Sequence, residues 1–105
     1  MSNEILIENA LKRQEAFKNL EKYLQTIKET AKKLDPKAEV YLFGSVAQKS
    51  YNYSSDIDVL IITDKNPAEI HAELWKAGIR EPFQIHIQTK QKAQFFLKTT
   101  KHIIV

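Results

Sequence analysis

The sequence contains no cysteine, only two glycines and three prolines in 105 residues, and no Asp or Glu after Glu81. Because cysteine is absent, the chain has no disulfide framework, no thiolate metal site and no cysteine nucleophile, which fits a reducing compartment. Its apolar runs, such as VLII at 59–62, are far shorter than a membrane span. The N-terminus is polar and acidic early, unlike a signal peptide. We therefore expect a cytoplasmic protein that makes no membrane contact.

The length and charge of the chain indicate one ordinary globular domain. A chain of this length has enough core to fold alone. The net charge of +3 is a mild bias that permits contact with nucleic acid without predicting it. Basic residues are most concentrated in the acid-free tail, at Lys90, Lys92, Lys98 and Lys101. We interpret this tail as a solvated face or a partner surface, and nucleic acid binding by it is the less favoured alternative.

The scarce glycines and prolines mark the ends of the predicted elements. No Gly or Pro occurs between Asn3 and Leu34, and apolar residues recur there every three or four positions. This pattern predicts one long helix with a core-facing stripe, although its irregular start leaves a break there open. Asn66 is the predicted N-cap of a later helix, with Pro67 in its first position. Helices are predicted for 3–34, 45–49, 66–77 and 91–98, and strands for 38–43, 56–63 and 83–89, with 102–105 as a strand or packed tail.

This order of elements predicts an α/β (α+β) fold, in which helices pack around a small sheet. The second strand is nearly continuous in apolar residues after its first three, which predicts burial on both faces. Two acids, Asp56 and Asp58, stand at its head, where charge opposes burial unless a cation satisfies it. Residues two apart on a strand point to the same face, and paired carboxylates are ligands that Mg²⁺ or Mn²⁺ prefers. Alone, such a pair is a weak signal, because most chance occurrences are exposed turn acids.

Gly44 and Ser45 strengthen that signal. A glycine after an apolar strand lets the backbone approach a ligand closely, and a following helical turn offers N–H groups to a phosphate. The Ser45 hydroxyl can add a hydrogen bond to the same phosphate. The plainer alternative is a tight turn, a helix cap and an acidic turn. The combination of a phosphate cradle with an acid pair favours a nucleoside triphosphate bound with its metal.

Gly44-Ser45, ten residues and then Asp56-Ile57-Asp58 resemble the GS-x10-DxD signature of the DNA polymerase β-like nucleotidyltransferase superfamily. The segment SDIDV and the short chain length resemble those of the minimal nucleotidyltransferases of this superfamily. The resemblance covers about residues 39–88. It implies a nucleotidyltransferase fold, with a small mixed sheet of three or four strands flanked by helices, in a single domain over 1–105. It also implies transfer of a nucleoside monophosphate, such as AMP, from ATP or another triphosphate to a hydroxyl. Gly44 and Ser45 would hold the triphosphate, and Asp56 and Asp58 would ligate two Mg²⁺ (or Mn²⁺) ions.

The chain departs from the family pattern at the third catalytic carboxylate, which the family carries on the next strand. His86 occupies that place, and no acid after Glu81 can replace it. A neutral imidazole is a softer ligand, so Mg²⁺ should bind less well, but His86 is also a candidate general base. Alternatively, it satisfies a buried hydrogen bond. Gln84 and Gln88 share its strand face, which favours a cleft or a surface.

A second departure follows Gly44-Ser45. Where the family often has Arg and then Gly, this chain has Gln48 and Lys49. Lys49 is the candidate that would supply the phosphate-binding cation.

Three functions remain open at this stage. The leading one is a metal-dependent domain that binds a nucleoside triphosphate and acts on a partner; the resemblance implies a helical HEPN-type protein, as in two-component toxin–antitoxin modules. The second is a catalytically silent interaction or antitoxin module, because His86 replaces the third carboxylate. The third, an RNA-binding adaptor using the Lys-rich tail, predicts strongly salt-dependent binding. The sequence leaves a homo-oligomer open.

Overall fold

The computed structural model describes residues 3–50, 52 and 55–105. The predicted helices and strands after residue 34 are confirmed to within one or two residues at their ends. Three residues of the predicted polar loop, 51, 53 and 54, lie outside the described residues. The elements are α1 (Asn3–Lys18), α2 (Leu20–Leu34), β1 (Glu39–Phe43), α3 (Gly44–Ala47), β2 (Ile57–Ile62), α4 (Pro67–Lys76), β3 (Phe83–Gln88), α5 (Lys90–Thr99) and β4 (His102–Ile104).

The single N-terminal helix predicted from the sequence, whose irregular start left a break open, is two helices that meet at Asn19. Asn19 has φ −111° and ψ 29°, outside the helical region. Its side-chain Nδ2 donates to the backbone carbonyl of Glu15 at 3.1 Å, so the side chain competes with the backbone N–H of the helix for that carbonyl oxygen. The Tyr23 hydroxyl donates to the Glu15 carboxylate at 2.7 and 2.8 Å and thereby joins the two helices. That hydrogen bond, with burial and the Glu15 charge, raises the pKa of Tyr23.

The four strands form one mixed sheet in the order β3-β2-β1-β4. β1 pairs antiparallel with both β2 and β4, whereas β2 and β3 are parallel. The β1–β2 register places Phe43 opposite Asp58. The β2–β3 register places Leu60 opposite His86. The end of β1, the beginning of β2 and the middle of β3 therefore lie side by side.

One face of the sheet packs against α2 and α4. The predicted stripe of α2 buries Ile27 and Ala31 completely, and α4 buries Ile70 and Leu74. Fully burying one such aliphatic side chain contributes about 1.5–3 kcal/mol. Asn66 is the N-cap of α4 as predicted, because its side chain accepts a hydrogen bond from the backbone N–H of Ala68 at 2.9 Å. The strand residues on this face are Val40, Leu42, Ile57, Val59 and Ile61.

The other face packs against α5, where Ala93 is completely buried over Tyr41 and Leu60. β2 is thus covered on both sides, as its apolar run predicts. Because side chains alternate along a strand, Asp58 lies on the same face as Leu60, and so does His86, which pairs with Leu60. Both remain partly exposed, with 28% of the Asp58 and 48% of the His86 side chain accessible. The polar part of this face therefore opens to solvent beside the α5 core.

Candidate functional site

The turn between β1 and α3 requires glycine for two reasons. Gly44 has φ +76°, in the left-handed region that other residues rarely adopt. A Cβ built on Gly44 would overlap Oδ2 of Asp58 and lie 3.3 Å from its Cγ. The overlap arises because Phe43, the residue before the glycine, is directly opposite Asp58 in the sheet. The glycine predicted to approach a ligand is thus packed against one of the two predicted metal-ligating carboxylates.

His86 faces Asp58 across the β2–β3 pair. Its Nε2 is 3.5 Å from Oδ1 of Asp58. The Phe43 ring contacts the imidazole edge to face, with ring centroids 5.1 Å apart, and makes a similar contact with Phe96 of α5. Aromatic contacts of this geometry fix the orientation of both rings. The imidazole is therefore held between an aromatic ring and a carboxylate, and the polar strand face predicted around His86 is confirmed.

Asp56, just before β2, is paired with a residue that the sequence did not single out. Arg13 of α1 places its Nη2 atom 3.5 Å from Oδ1 of Asp56, whose side chain is 49% exposed. Its Nη1 atom donates to the backbone carbonyl of Ser55 at 3.1 Å. Nothing local in the sequence distinguishes Arg13 from the other charges of its helix, because the contact spans 43 positions and depends on how α1 lies on the sheet.

Ser45 lies in the short α3 segment, and Lys49 lies in the turn that follows it. Ser45 is half-buried in its first turn, and its carbonyl accepts a hydrogen bond from Ser50 N–H at 3.0 Å. Lys49 has φ +59° and lines a cavity with Leu20 and Ile103, on the α2 side of the sheet. Asp58 and His86 lie on the opposite face. The structure therefore brings Gly44, Asp58 and His86 together, and the roles predicted for Ser45 and Lys49 stay predictions.

The donor set suits a cation that is completed by oxygen atoms of a ligand. Within the described residues, no three His, Cys, Asp or Glu side chains are grouped closely enough to hold a metal ion. Mg²⁺ is, however, commonly bound by one or two carboxylates together with substrate phosphates and waters. Asp56 and Asp58 provide two such carboxylates, both accessible, and the Gly44 turn lies against Asp58. The residues present therefore fit a nucleotide-bound divalent cation and not a dedicated protein cage.

None of the helices in the described part of the chain is long and apolar enough to cross a bilayer. In comparisons with known proteins, a family model described as the nucleotidyltransferase domain matches residues 24–104. The crystal structure of a provisionally assigned nucleotidyltransferase is similar at 34% sequence identity and a TM-score of 0.63, with 77% of this chain and 95% of that chain covered. The comparison with curated proteins gave no match.

A second solved structure shares the fold. It is a provisionally assigned nucleotidyltransferase from Sulfolobus solfataricus, 24% identical with a TM-score of 0.59, and the similarity covers 91% of this chain and 85% of that one. The TM-scores show that the mixed four-stranded sheet and the helices described here have an overall fold similar to that of both structures. The resemblance predicted from Gly44-Ser45 and Asp56-Ile57-Asp58 is thereby confirmed, and this chain belongs to the nucleotidyltransferase domain family.

Proposed function

We propose that the protein binds a nucleoside triphosphate, such as ATP, with Mg²⁺ or Mn²⁺ and transfers its nucleoside monophosphate to a hydroxyl group. One observation carries this proposal: the Gly44 turn packs directly against the carboxylate of Asp58. A strand-end turn suited to phosphate and an acid suited to a cation are thereby adjacent, as a triphosphate with its cation requires. Family membership supports the reaction class.

The residues can be given roles in that reaction. In this proposal Asp56 and Asp58 hold the divalent cation, and the turn at Gly44 and Ser45 accepts the triphosphate. A bound cation supplies positive charge that stabilises the attacking and leaving oxygens of an in-line displacement. The acceptor hydroxyl forms the new bond to the α-phosphorus as pyrophosphate leaves. His86, held between Phe43 and Asp58, is the group proposed to accept the hydroxyl proton.

A catalytically silent module is the second candidate, and a specific observation favours it. In place of a third carboxylate, an imidazole faces Asp58, and the described residues contain no group of three candidate metal-ligating side chains. The site then has one negative charge fewer to attract a second cation. In this version the protein retains nucleotide binding or only the fold, and acts as an antitoxin or interaction module.

The proposed partner is a helical HEPN-type protein. Exposed apolar side chains on α1 support a partner of this kind, because Leu6, Ile7 and Leu11 are each 57–58% exposed and offer apolar surface to another helix. The same side chains would also serve a homo-oligomer. Light scattering of the protein alone and mixed with a purified candidate partner separates these two uses of α1.

Transfer of label from ATP tests the function directly. The protein is incubated with α-³²P-labelled ATP, Mn²⁺ or Mg²⁺ and a candidate partner, and labelled protein is separated by electrophoresis. Labelling that requires the cation and disappears in Asp58→Asn supports the transferase. Calorimetric binding of Mn²⁺–ATP without labelling supports a silent module that retains nucleotide binding. A protein that binds neither cation nor nucleotide refutes the transferase and leaves the module that retains only the fold.

A further inference from the structure

Arg13 connects α1 to the head of β2 through two different groups. One Nη atom donates to the Ser55 carbonyl at 3.1 Å, and the other lies 3.5 Å from the Asp56 carboxylate. The Arg13 side chain is 28% accessible, so the guanidinium is partly withdrawn from solvent. One contact is to the backbone, which holds the guanidinium in place. The other is to an exposed carboxylate, which a cation can compete for.

This contact comes from outside the matched part of the family. The family model begins at residue 24, whereas Arg13 lies in α1. Among the α1 side chains that the structure describes, only Ala16 is buried, so few core contacts fix the helix near the site. Arg13 therefore reaches Asp56 from a helix that lies outside the segment matched by the family model.

The site otherwise has little positive charge. Among the described residues, Arg13 is the one Lys or Arg that forms an ion pair with Asp56 or Asp58. Lys49, the cation expected from the sequence, lines a cavity on the opposite face of the sheet. A triphosphate carries several negative charges that one divalent cation only partly neutralises. A guanidinium is well suited to the remaining charge, because its planar fork can donate to a phosphate oxygen from one arm while the other arm keeps its contact with Ser55.

We propose that Arg13 is a phosphate-binding residue of this site, which pairs with Asp56 in the free protein and exchanges that carboxylate for a phosphate oxygen of the bound nucleoside triphosphate. A divalent cation that binds Asp56 competes with the guanidinium for the same oxygen. The phosphate then gives the guanidinium a new anionic partner, while the hydrogen bond to Ser55 keeps it at the site. The exchange couples nucleotide binding to the position of α1.

This inference rests on the proposed nucleotide binding, and its test separates the two. Calorimetry measures two dissociation constants, one for Mn²⁺ alone and one for α,β-methylene ATP at saturating Mn²⁺. Arg13→Gln should bind Mn²⁺ alone about two- to fivefold more tightly, because a competing exposed ion pair is removed. Its dissociation constant for the nucleotide analogue should rise by about tenfold or more, because a charge-assisted contact to phosphate is lost. The two constants thus move in opposite directions, which a merely structural role would not produce.

Two further variants sharpen the test. Arg13→Lys should restore the wild-type Mn²⁺ affinity, since the charge is kept. It should restore only part of the analogue affinity, since an ammonium lacks the rigid fork that contacts Ser55 and phosphate together. Lys18→Gln removes the same charge from an exposed position of α1 and should leave both constants unchanged. Circular dichroism confirms that each variant is folded.

The outcomes have distinct meanings. Opposite shifts in Arg13→Gln support the exchange. Constants that are both unchanged, or that both weaken or both tighten, overturn it, because the residue then only holds the loop or only blocks the carboxylate. A wild-type protein that binds neither Mn²⁺ nor the analogue refutes the proposed function itself, and the role of Arg13 falls with it.

Discussion

Gly44→Ala tests the contact on which the candidate site depends. The substitution adds one methyl group at a backbone with φ +76°, where it overlaps Oδ2 of Asp58 and lies 3.3 Å from Cγ. A non-glycine residue in the left-handed region costs about 1–2 kcal/mol. Forcing a carboxylate out of a packed position costs about 1–3 kcal/mol more. We expect the free energy of unfolding to fall by about 2–5 kcal/mol and cation binding at Asp58 to weaken together with it.

The second glycine of the chain is a matched control. Gly78 also has a positive φ, +93°, but a Cβ added there meets nothing within 4 Å. Gly78→Ala therefore reports the backbone strain alone, about 1–2 kcal/mol. Urea unfolding of both variants gives the steric contribution at Gly44 by difference, and Mn²⁺ titration of Gly78→Ala should match the wild type.

A double-mutant cycle identifies the clashing partner. Asp58→Ala removes Cγ and both oxygens and leaves a Cβ that is 3.4 Å from the added methyl group, an ordinary contact. Gly44→Ala should therefore cost about 1–3 kcal/mol less in the Asp58→Ala background. Equal unfolding free energies for Gly44→Ala and Gly78→Ala, with no coupling in the cycle, would refute the close approach of the glycine turn to Asp58.

Three further perturbations test other parts of the structure. Asp56→Asn and Asp58→Asn should each weaken cation-dependent nucleotide binding in calorimetry. Each should change the unfolding free energy by less than about 1 kcal/mol, since both carboxylates are accessible. Unchanged nucleotide affinities in both variants would contradict the metal assignment. His86→Asp should raise Mg²⁺ affinity, because it adds a hard anionic ligand beside Asp58, and a weaker Mg²⁺ titration would contradict that role. Thr63 Oγ1 donates a hydrogen bond to the Asp35 carboxylate at 2.6 Å, and this bond is the largest cause of the lowered pKa of Asp35, followed by a backbone N–H and lysine charges. The stabilisation of the folded state by this carboxylate is therefore complete above the ordinary carboxyl pKa of about 3.9. It is lost as the pH falls through the lowered pKa. Thr63→Val should cost about 1 kcal/mol at pH 7 and less at pH 3 in urea unfolding, and an equal cost at both pH values would exclude this linkage.

Most of the fold could be predicted from local patterns. The strands follow from short apolar or alternating segments, and α4 from Asn66 and Pro67 as cap and first residue. The irregular apolar spacing left a break in the N-terminal helix open, but its position at Asn19 could not be predicted, because apolar periodicity is insensitive to the backbone angles of a single residue. It arises from an asparagine side chain that competes with the helix and from a tyrosine hydrogen bond that joins the two segments.

The candidate site, like the fold, could be predicted only in part from the sequence. Gly44-Ser45 and Asp56-Ile57-Asp58 identify the family, because a glycine turn and an acid pair at fixed spacing are properties of a continuous segment. His86 was predicted to fill the third position, and the parallel pairing of β2 with β3 brings it to 3.5 Å from Asp58. That distance depends on the strand register, which no single strand determines.

The sequence by itself determined the type and order of most elements, the glycine turn and the acid pair, since each depends on residues that are neighbours in the chain. Only the tertiary structure decided that Gly44 packs on Asp58 and that Arg13, 43 positions earlier, reaches Asp56. Both contacts join segments whose relative position depends on antiparallel strand pairing and on the docking of α1. Those arrangements are determined by burial of the whole core, which depends on all the elements together, so no local sequence pattern indicates them.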